Sequence, residues 1–481
     1  MVAEVVQLTE HTDSIHALNR IFDNQRQAFS QQMTPSYRER KDDLLRLKSA
    51  LLNHKARLID AINSDFSSRS RDETLLAEIM PSVQGINYTL KHLKGWMKPS
   101  RRHVSSMFRP ARNEVQYQPL GVVGIITPWN YPLFLAMGPL TCALAAGNRA
   151  MIKMSEFTPA TAEALKLMLR ETFSENKVAV ITGAADVAIE FSRKPFDHLL
   201  FTGSTAVGHH VMRAAADNLT PVTLELGGKS PAIVSATVPM KDAAERICFG
   251  KAFNAGQTCV APDYVLCPTA RIAEFVEQFQ ASATRFYPTV KHNQDFTSII
   301  DERQRARLQS YLDDAREKGA RIITINPAQE DFSEGTRKLP LHLVLDATET
   351  MKVMQEEIFG PILPVVAYET LPDALRYINE RPRPLALYYF GYDKDEQHQV
   401  LDQTRSGGVC INDTLMHVAQ DDLPFGGVGH SGTGRYHGFE GFQTFSCVKA
   451  VHIKQRFYTG SLLFAPHGSL LHRLIYWRFI R

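Results

Sequence analysis

The sequence has no excess of either charge. Its 54 Lys and Arg against 51 Asp and Glu leave a formal net charge of +3, too little to argue for a nucleic-acid partner. No uninterrupted apolar run approaches the ~20 residues of a membrane-spanning helix. Cysteine is sparse: the six are Cys142, Cys248, Cys259, Cys267, Cys410 and Cys447, with no Cys-x-x-Cys pair and no histidine at zinc-ligand spacing. That pattern suggests neither a disulfide framework nor a metal site. Internal repeats and low-complexity linkers are missing too. The opening stretch, MVAEVVQLTEHTDS, is acidic and polar, where a secretory leader is basic and then apolar. A reducing cytoplasm is the expected compartment.

What is there is an ordinary globular composition, 44% hydrophobic and 22% charged over 481 residues, enough for two or three domains. The first hundred residues predict helices. Leu44, Leu47, Leu51, Leu58 and Ile62 recur near a 3.6-residue period with Arg and Lys opposite, and Pro81 is expected to kink or restart a helix. EVQYQPLGVVGIITP predicts strands leading to a loop at TPWNYP. Strand and helix signals then alternate from RAMIKM to PVTLELGG, and again from SPAIVSA to PILPVVAYE. Repeated units of this kind predict α/β domains with parallel sheets. The last segment, SLLFAPHGSLLHRLIYWRFIR, is apolar, aromatic and basic together. It reads as a terminal helix docked on the body or on a partner subunit, or else as one lying on an anionic membrane surface. Arg473, Arg478 and Arg481 do not share one helical face, which favours docking.

Six fragments carry chemistry. In TPWNYP, Asn130 sits on a rigid loop between Pro128 and Pro132, where a carboxamide can donate to a developing oxyanion or simply bond its own turn. FTGSTAVGHH places Gly203 and Ser204 at a strand-to-helix junction, a phosphate site or an ordinary helix cap. IKMSE ends a strand with Lys153 and Glu156, suited to ribose hydroxyls or to an exposed ion pair. VTLELGGKSP puts Glu225 in apolar surroundings that raise a carboxyl pKa towards general-base work. EEIFGP offers Glu357 and an aromatic plane, Phe359. In FNAGQTC, Cys259 follows Gly256-Gln257-Thr258; a cysteine on a Gly/Asn turn is more often meant to be reached than one in a core run.

PWNYP, FTGST, LELGGKSP, FNAGQTC and EEIFGP, in this order and spacing and across nearly the whole chain, resemble the NAD(P)-dependent aldehyde dehydrogenase superfamily. The ending PFGGVGHSGTGRYHGFEGFQTFS is similar to its class 3 and fatty-aldehyde branch, and within that branch to bacterial coniferyl aldehyde dehydrogenases. The resemblance implies an NAD-binding Rossmann-type α/β domain (residues 1–106 and 122–225), a catalytic α/β domain (226–415), a small β arm for oligomerisation (107–121 and 416–450) and a tail (451–481). It implies that Cys259 attacks the aldehyde, that Asn130 and the Cys259 N–H hold the oxyanion, and that Glu225 activates water against the thioester.

For the cofactor the resemblance assigns Lys153 and Glu156 to the adenosine ribose, and Ser204, in the turn at Gly203, to the pyrophosphate. Glu357 goes to the nicotinamide ribose and Phe359 to its ring. NAD is expected over NADP, because Glu156 repels a 2′-phosphate, with dual use left open. Trp129, Tyr131, Thr258, Asn412 and Phe425 are expected around the substrate. A homodimer is expected, and the substrate stays open between coniferyl aldehyde, converted to ferulate, and other aromatic or long-chain aldehydes. An enzyme passing its thioester to coenzyme A has no use for Glu225. A cofactor-free cysteine hydrolase leaves the ribose and phosphate positions unexplained. A non-catalytic relative is expected to have lost Cys259, Glu225 or Asn130. One departure is visible: Met154 stands where the family usually has proline, which is expected to loosen the strand end at Lys153.

Overall fold

The computed structural model describes residues 2–333, 335–456 and 460–480. It has the α/β architecture expected from the sequence. Its strands are β1 (Ser100–Arg102), β2 (Arg112–Pro119), β3 (Val122–Ile126), β4 (Arg149–Lys153), β5 (Val178–Ile181), β6 (His198–Gly203), β7 (Val222–Leu226) and β8 (Pro231–Val234). They continue with β9 (Tyr264–Pro268), β10 (Arg321–Ile325), β11 (Leu341–Leu345), β12 (Ile362–Tyr368), β13 (Ala386–Phe390), β14 (Gly408–Ile411), β15 (Gly432–Thr433) and β16 (Ser446–Ile453).

These strands form three sheets. The first runs β15-β7-β6-β3-β4-β5 and is parallel except for β15. Every residue of β3 and β5 is buried, which explains why their sequences read as unbroken apolar runs: helices cover both faces of a parallel sheet. The chain builds β3, β4 and β5 in one direction, then returns to the other side of β3 for β6 and β7. That reversal leaves a crevice beyond the carboxyl ends of β3 and β6, where such sheets bind ligands. The second sheet runs β10-β11-β12-β9-β8-β13-β14, parallel except for β10. Strands β11, β13 and β14 add to the set that sequence alternation predicts. β13, ALYYF, is wholly buried, so no polar face marks it.

The third sheet, β1-β2-β16, is antiparallel, with β16 paired to β2 from Ser446↔Pro119 to Ile453↔Arg112. Strands far apart in the chain, β2 and β16, therefore pair with each other. β15 joins the first sheet instead, with Gly432 opposite Glu225.

The predicted N-terminal helices are present. Helix Tyr37–Phe66 opens on a capping box between Ser36 and Glu39 and buries Leu44, Leu47, Leu51, Leu58 and Ile62. Pro81 lies in the first turn of helix Met80–Trp96, directly after a π-helical turn over Leu75–Ile79. Proline has no N–H to return to the preceding turn, and the widened turn ahead of it takes the place of a sharp kink. At the other end, helix Leu470–Phe479 buries only His472, while Leu470, Leu474, Trp477 and Ile480 stay exposed. Arg481 lies outside the described residues. Among the described residues no helix is long and apolar enough to cross a membrane.

Candidate active site

The carboxyl ends of the first sheet face a cleft of about 1070 Å³, large enough for a dinucleotide. Loops from both large sheets line it. From the first sheet come Trp129 and Asn130 after β3, Lys153 and Glu156 at the end of β4, Gly203 and Ser204 at the end of β6, and Glu225 on β7. The second sheet contributes Cys259, in the loop before β9, and Glu357 and Phe359, in the loop before β12. The fragments singled out in the sequence thus converge from positions up to some 230 residues apart, 359 against 129.

Cys259 is delivered by an unusual backbone. Helix Met240–Ala252 ends, and Asn254, Ala255 and Gly256 then take φ of 52°, 51° and 73°, a run of left-handed residues that costs L-amino acids energy. Side chains hold it. The Asn254 carboxamide donates to the carbonyl oxygens of Asn130 (3.1 Å) and Gln257 (3.0 Å). The Gln257 amide donates to the Asn254 and Ser298 carbonyls and accepts from the Ile300 N–H. At Gly256 a Cβ would fall 2.3 Å from the Gly360 carbonyl oxygen, so glycine brings the cysteine loop against the Glu357 loop.

The titratable groups are poised together. Burial pushes the Cys259 thiol up, helped by the negative charge of Glu225 and Glu357 and opposed by the N–H groups of Cys259 and Val260. Glu225 is 2% exposed, its Oε1 has no partner, and desolvation holds its carboxyl well above the ordinary range. Glu357 is raised to about 8 by burial and by Asp263, against a donated Gly228 N–H. At neutral pH the resting thiol therefore keeps its proton unless a base removes it.

The residues meant for a cofactor fit one. Ser204 caps helix Thr205–Ala216, its hydroxyl accepting from the Val207 N–H, and a Cβ on Gly203 would collide with the Phe201 ring. That helix start suits pyrophosphate. Lys153 is buried, with Nζ donating to the Met154 carbonyl (2.6 Å), and Glu156 is exposed at the rim. The Glu357 carboxylate lies over Gly227, where a Cβ would come within 2.1 Å of Oε2, and its Oε1 is unpartnered. The expected loosening at Met154 is absent. Its N–H, which a proline would lack, donates to the Ile181 carbonyl (3.1 Å) and prolongs the β4–β5 ladder, and its sulfur accepts from the Thr127 hydroxyl.

The expected substrate residues divide. Trp129 lines the cofactor-side cleft, 5.2 Å edge-to-face from Phe359. The Tyr131 hydroxyl is 2.7 Å from the Thr258 hydroxyl, beside Cys259. Phe425 stacks at 5.4 Å on His437, whose ring is 6.3 Å from Phe134. The Asn412 amide bonds Gly391 on both sides: Oδ1 accepts from the Gly391 N–H and Nδ2 donates to the Gly391 carbonyl. That carboxamide braces the end of β13. Sequence reasoning missed Arg307, which donates to the Ile358 carbonyl, and the Lys229–Asp263 pair, whose Oδ1 accepts from the Ile358 N–H. Both hold the Glu357 loop, and neither sits in a pattern that reads as chemistry.

The chain matches the aldehyde dehydrogenase family over residues 4–451. It is 59% identical over 482 aligned residues, all of both chains, to a Pseudomonas aeruginosa protein named probable coniferyl aldehyde dehydrogenase. It is 47% identical over 464 residues, 95% of each chain, to the coniferyl aldehyde dehydrogenase of Pseudomonas sp. strain HR199. The solved substrate-bound Staphylococcus aureus AldH superposes with a TM-score of 0.90 at 37% identity, covering 96% of this chain and 99% of that one. The chain belongs to the aldehyde dehydrogenase family.

Proposed function

We propose that this aldehyde dehydrogenase oxidises coniferyl aldehyde to ferulate with NAD, through an adduct on Cys259. The reaction class rests on the family match, and the family uses NAD(P). The observation that carries the substrate is the full-length 59% identity to a protein named for coniferyl aldehyde. The rings of Tyr131, beside Thr258, and of Phe134, His437 and Phe425 support a planar aromatic aldehyde.

In this reading the Cys259 thiol first yields its proton to water, the thiolate Sγ attacks the aldehyde carbon, and the Asn130 carboxamide with the Cys259 N–H holds the oxygen as it gains charge. Lys153 and Glu156 hold the adenosine ribose, Ser204 and the helix start behind Gly203 the pyrophosphate, and Glu357 and Phe359 the nicotinamide end. The nicotinamide, when bound, supplies the hydride acceptor. Once the acyl group rests on Cys259 as a thioester, Glu225 takes a proton from water. The water then attacks, Cys259 leaves as thiolate, and the acid departs. Burial suits Glu225 to this work, because a carboxylate of raised pKa is the stronger base. Exposed Glu156 repels a 2′-phosphate, which supports NAD over NADP. The open edge of β16 supports a homodimer, and six free cysteines suit a reducing cytoplasm.

The test is NADH production by the purified enzyme with coniferaldehyde, benzaldehyde, hexanal and a long-chain alkanal. Coniferaldehyde is expected to give the highest kcat/KM. A kcat/KM that climbs with alkyl chain length would overturn the substrate assignment while leaving the reaction class intact.

A further inference from the structure

Asn130 is gripped through its backbone by two residues far from any motif. Arg69 is fully buried, and its Nη1 donates both to the Asn130 carbonyl oxygen (3.0 Å) and to Glu78 Oε1 (2.8 Å). The other oxygen of Glu78, also fully buried, accepts from the N–H groups of Leu133 (2.7 Å) and Phe134 (3.0 Å). The contacts close a ring: Arg69 to Asn130, along the chain to Leu133 and Phe134, to Glu78, and back to Arg69. The four residues Asn130 to Leu133 are thus fixed at both ends, with Pro132 stiffening the middle.

Two more observations single out this pair. Glu78 lies on the π-helical turn Leu75–Ile79, a distortion that re-aims a side chain and recurs at functional sites. Arg69 Cζ lies over the rings of Phe66 (5.1 Å) and Tyr131 (4.9 Å), contacts that a planar guanidinium makes better than an ammonium. Tyr131 in turn reaches Thr258, next to Cys259. Burying an Arg–Glu pair gains little stability over apolar residues of the same shape, so its return lies in fixing geometry.

We propose that Arg69 and Glu78 are positioning residues that aim the Asn130 carboxamide at the oxyanion formed on Cys259, an inference that rests on the roles given to Asn130 and Cys259 above. They act through Asn130 and touch neither substrate nor cofactor. Loss of an oxyanion donor costs of order 10²-fold or more in kcat, and this sets the upper limit for a residue acting through it.

The experiment is a double-mutant cycle of Arg69→Met with Asn130→Ala in the full-length enzyme. It is read as kcat/KM, as NAD affinity, and as the rate at which iodoacetamide alkylates Cys259, which needs no oxyanion donor. Arg69→Met alone is expected to lower kcat/KM about 10- to 100-fold, with NAD affinity and alkylation within about twofold, and Arg69→Lys to recover part of the loss. In the Asn130→Ala background Arg69→Met is expected to cost less than about threefold. Full multiplicative losses in that background would overturn the proposal. So would alkylation and NAD affinity falling in step with turnover, the mark of a residue that only keeps the fold. Should Arg69→Met not fold, Glu78→Gln, which removes the charge and keeps the shape, is read by the same criteria. An Asn130→Ala enzyme of normal activity would instead sink the underlying oxyanion assignment, a result obtained without touching Arg69.

Discussion

The hydroxyl of Tyr131 lies 2.7 Å from that of Thr258, both side chains being buried. One follows Asn130 and the other precedes Cys259, so this hydrogen bond, together with that from Asn254 to the Asn130 carbonyl, joins the loop after β3 to the loop before β9. Removing one partner of a buried hydrogen bond leaves the other unsatisfied, at about 1–3 kcal/mol. Tyr131→Phe is therefore expected to lower kcat several-fold with NAD affinity unchanged. Thr258→Val should do the same, and the two together should cost little more than either. Additive losses in kcat would mean that the bond does not couple the loops.

The raised carboxyl of Glu225 gives the pH profile a direction. General-base work needs the ionised form, so kcat is expected to rise with pH until the group has lost its proton. Glu225→Gln should flatten that limb, permit one burst of NADH and then stall with acyl enzyme, visible by mass spectrometry. Cys259→Ala should form no NADH while still binding NAD. A Glu225→Gln enzyme turning over at the normal steady rate would remove this residue from the base role.

The parallel strands of the first sheet and four of the seven in the second were legible, because strands buried on two faces leave apolar runs such as VVGII and PAIV between helix signals; β11, β13 and β14 were not. The residues of the cleft were legible as motifs because Gly, Pro and Asn punctuate the loops that carry them. The supports behind those loops were not. Arg69 and Glu78 lie in a stretch, SSRSRDETLLAEIM, whose charges look like a solvated helix face. A sequence cannot show that both point inward, Arg69 onto the Asn130 carbonyl and Glu78 onto the Leu133 and Phe134 N–H groups, 55 to 61 residues on. The bracing role of Asn412 was equally hidden: its place in a loop says nothing of the two hydrogen bonds its amide makes with Gly391.

Gly256 allows backbone conformation and close contact to be separated. Its φ is +73° and a Cβ there would meet the Gly360 carbonyl, whereas Gly319, at +92°, has nothing within 4 Å. Alanine at either position costs about 1–2 kcal/mol for the left-handed backbone. Only Gly256→Ala must also push the cysteine loop off the Glu357 loop. Thermal unfolding should show a modest loss for Gly319→Ala with kcat intact. For Gly256→Ala a larger fall in Tm, with activity nearly abolished, is expected. Equal effects of the two on kcat would contradict the close approach of the two loops.

Met154→Pro introduces the residue that the resemblance leads one to expect after Lys153, and here it is expected to weaken the enzyme. The substitution deletes the N–H that donates to the Ile181 carbonyl and the thioether that accepts from Thr127, in a side chain 1% exposed. One net hydrogen bond amounts to about 0.5–1.5 kcal/mol, to which lost packing adds. Lys153 Nζ, however, reaches the carbonyl of residue 154 rather than its N–H, and proline keeps a carbonyl. Lys153 should hold its place. Denaturant unfolding is expected to shift to lower midpoints while the NAD dissociation constant stays within about twofold. A variant of equal stability that bound NAD poorly would show that Met154 serves the cofactor rather than the sheet.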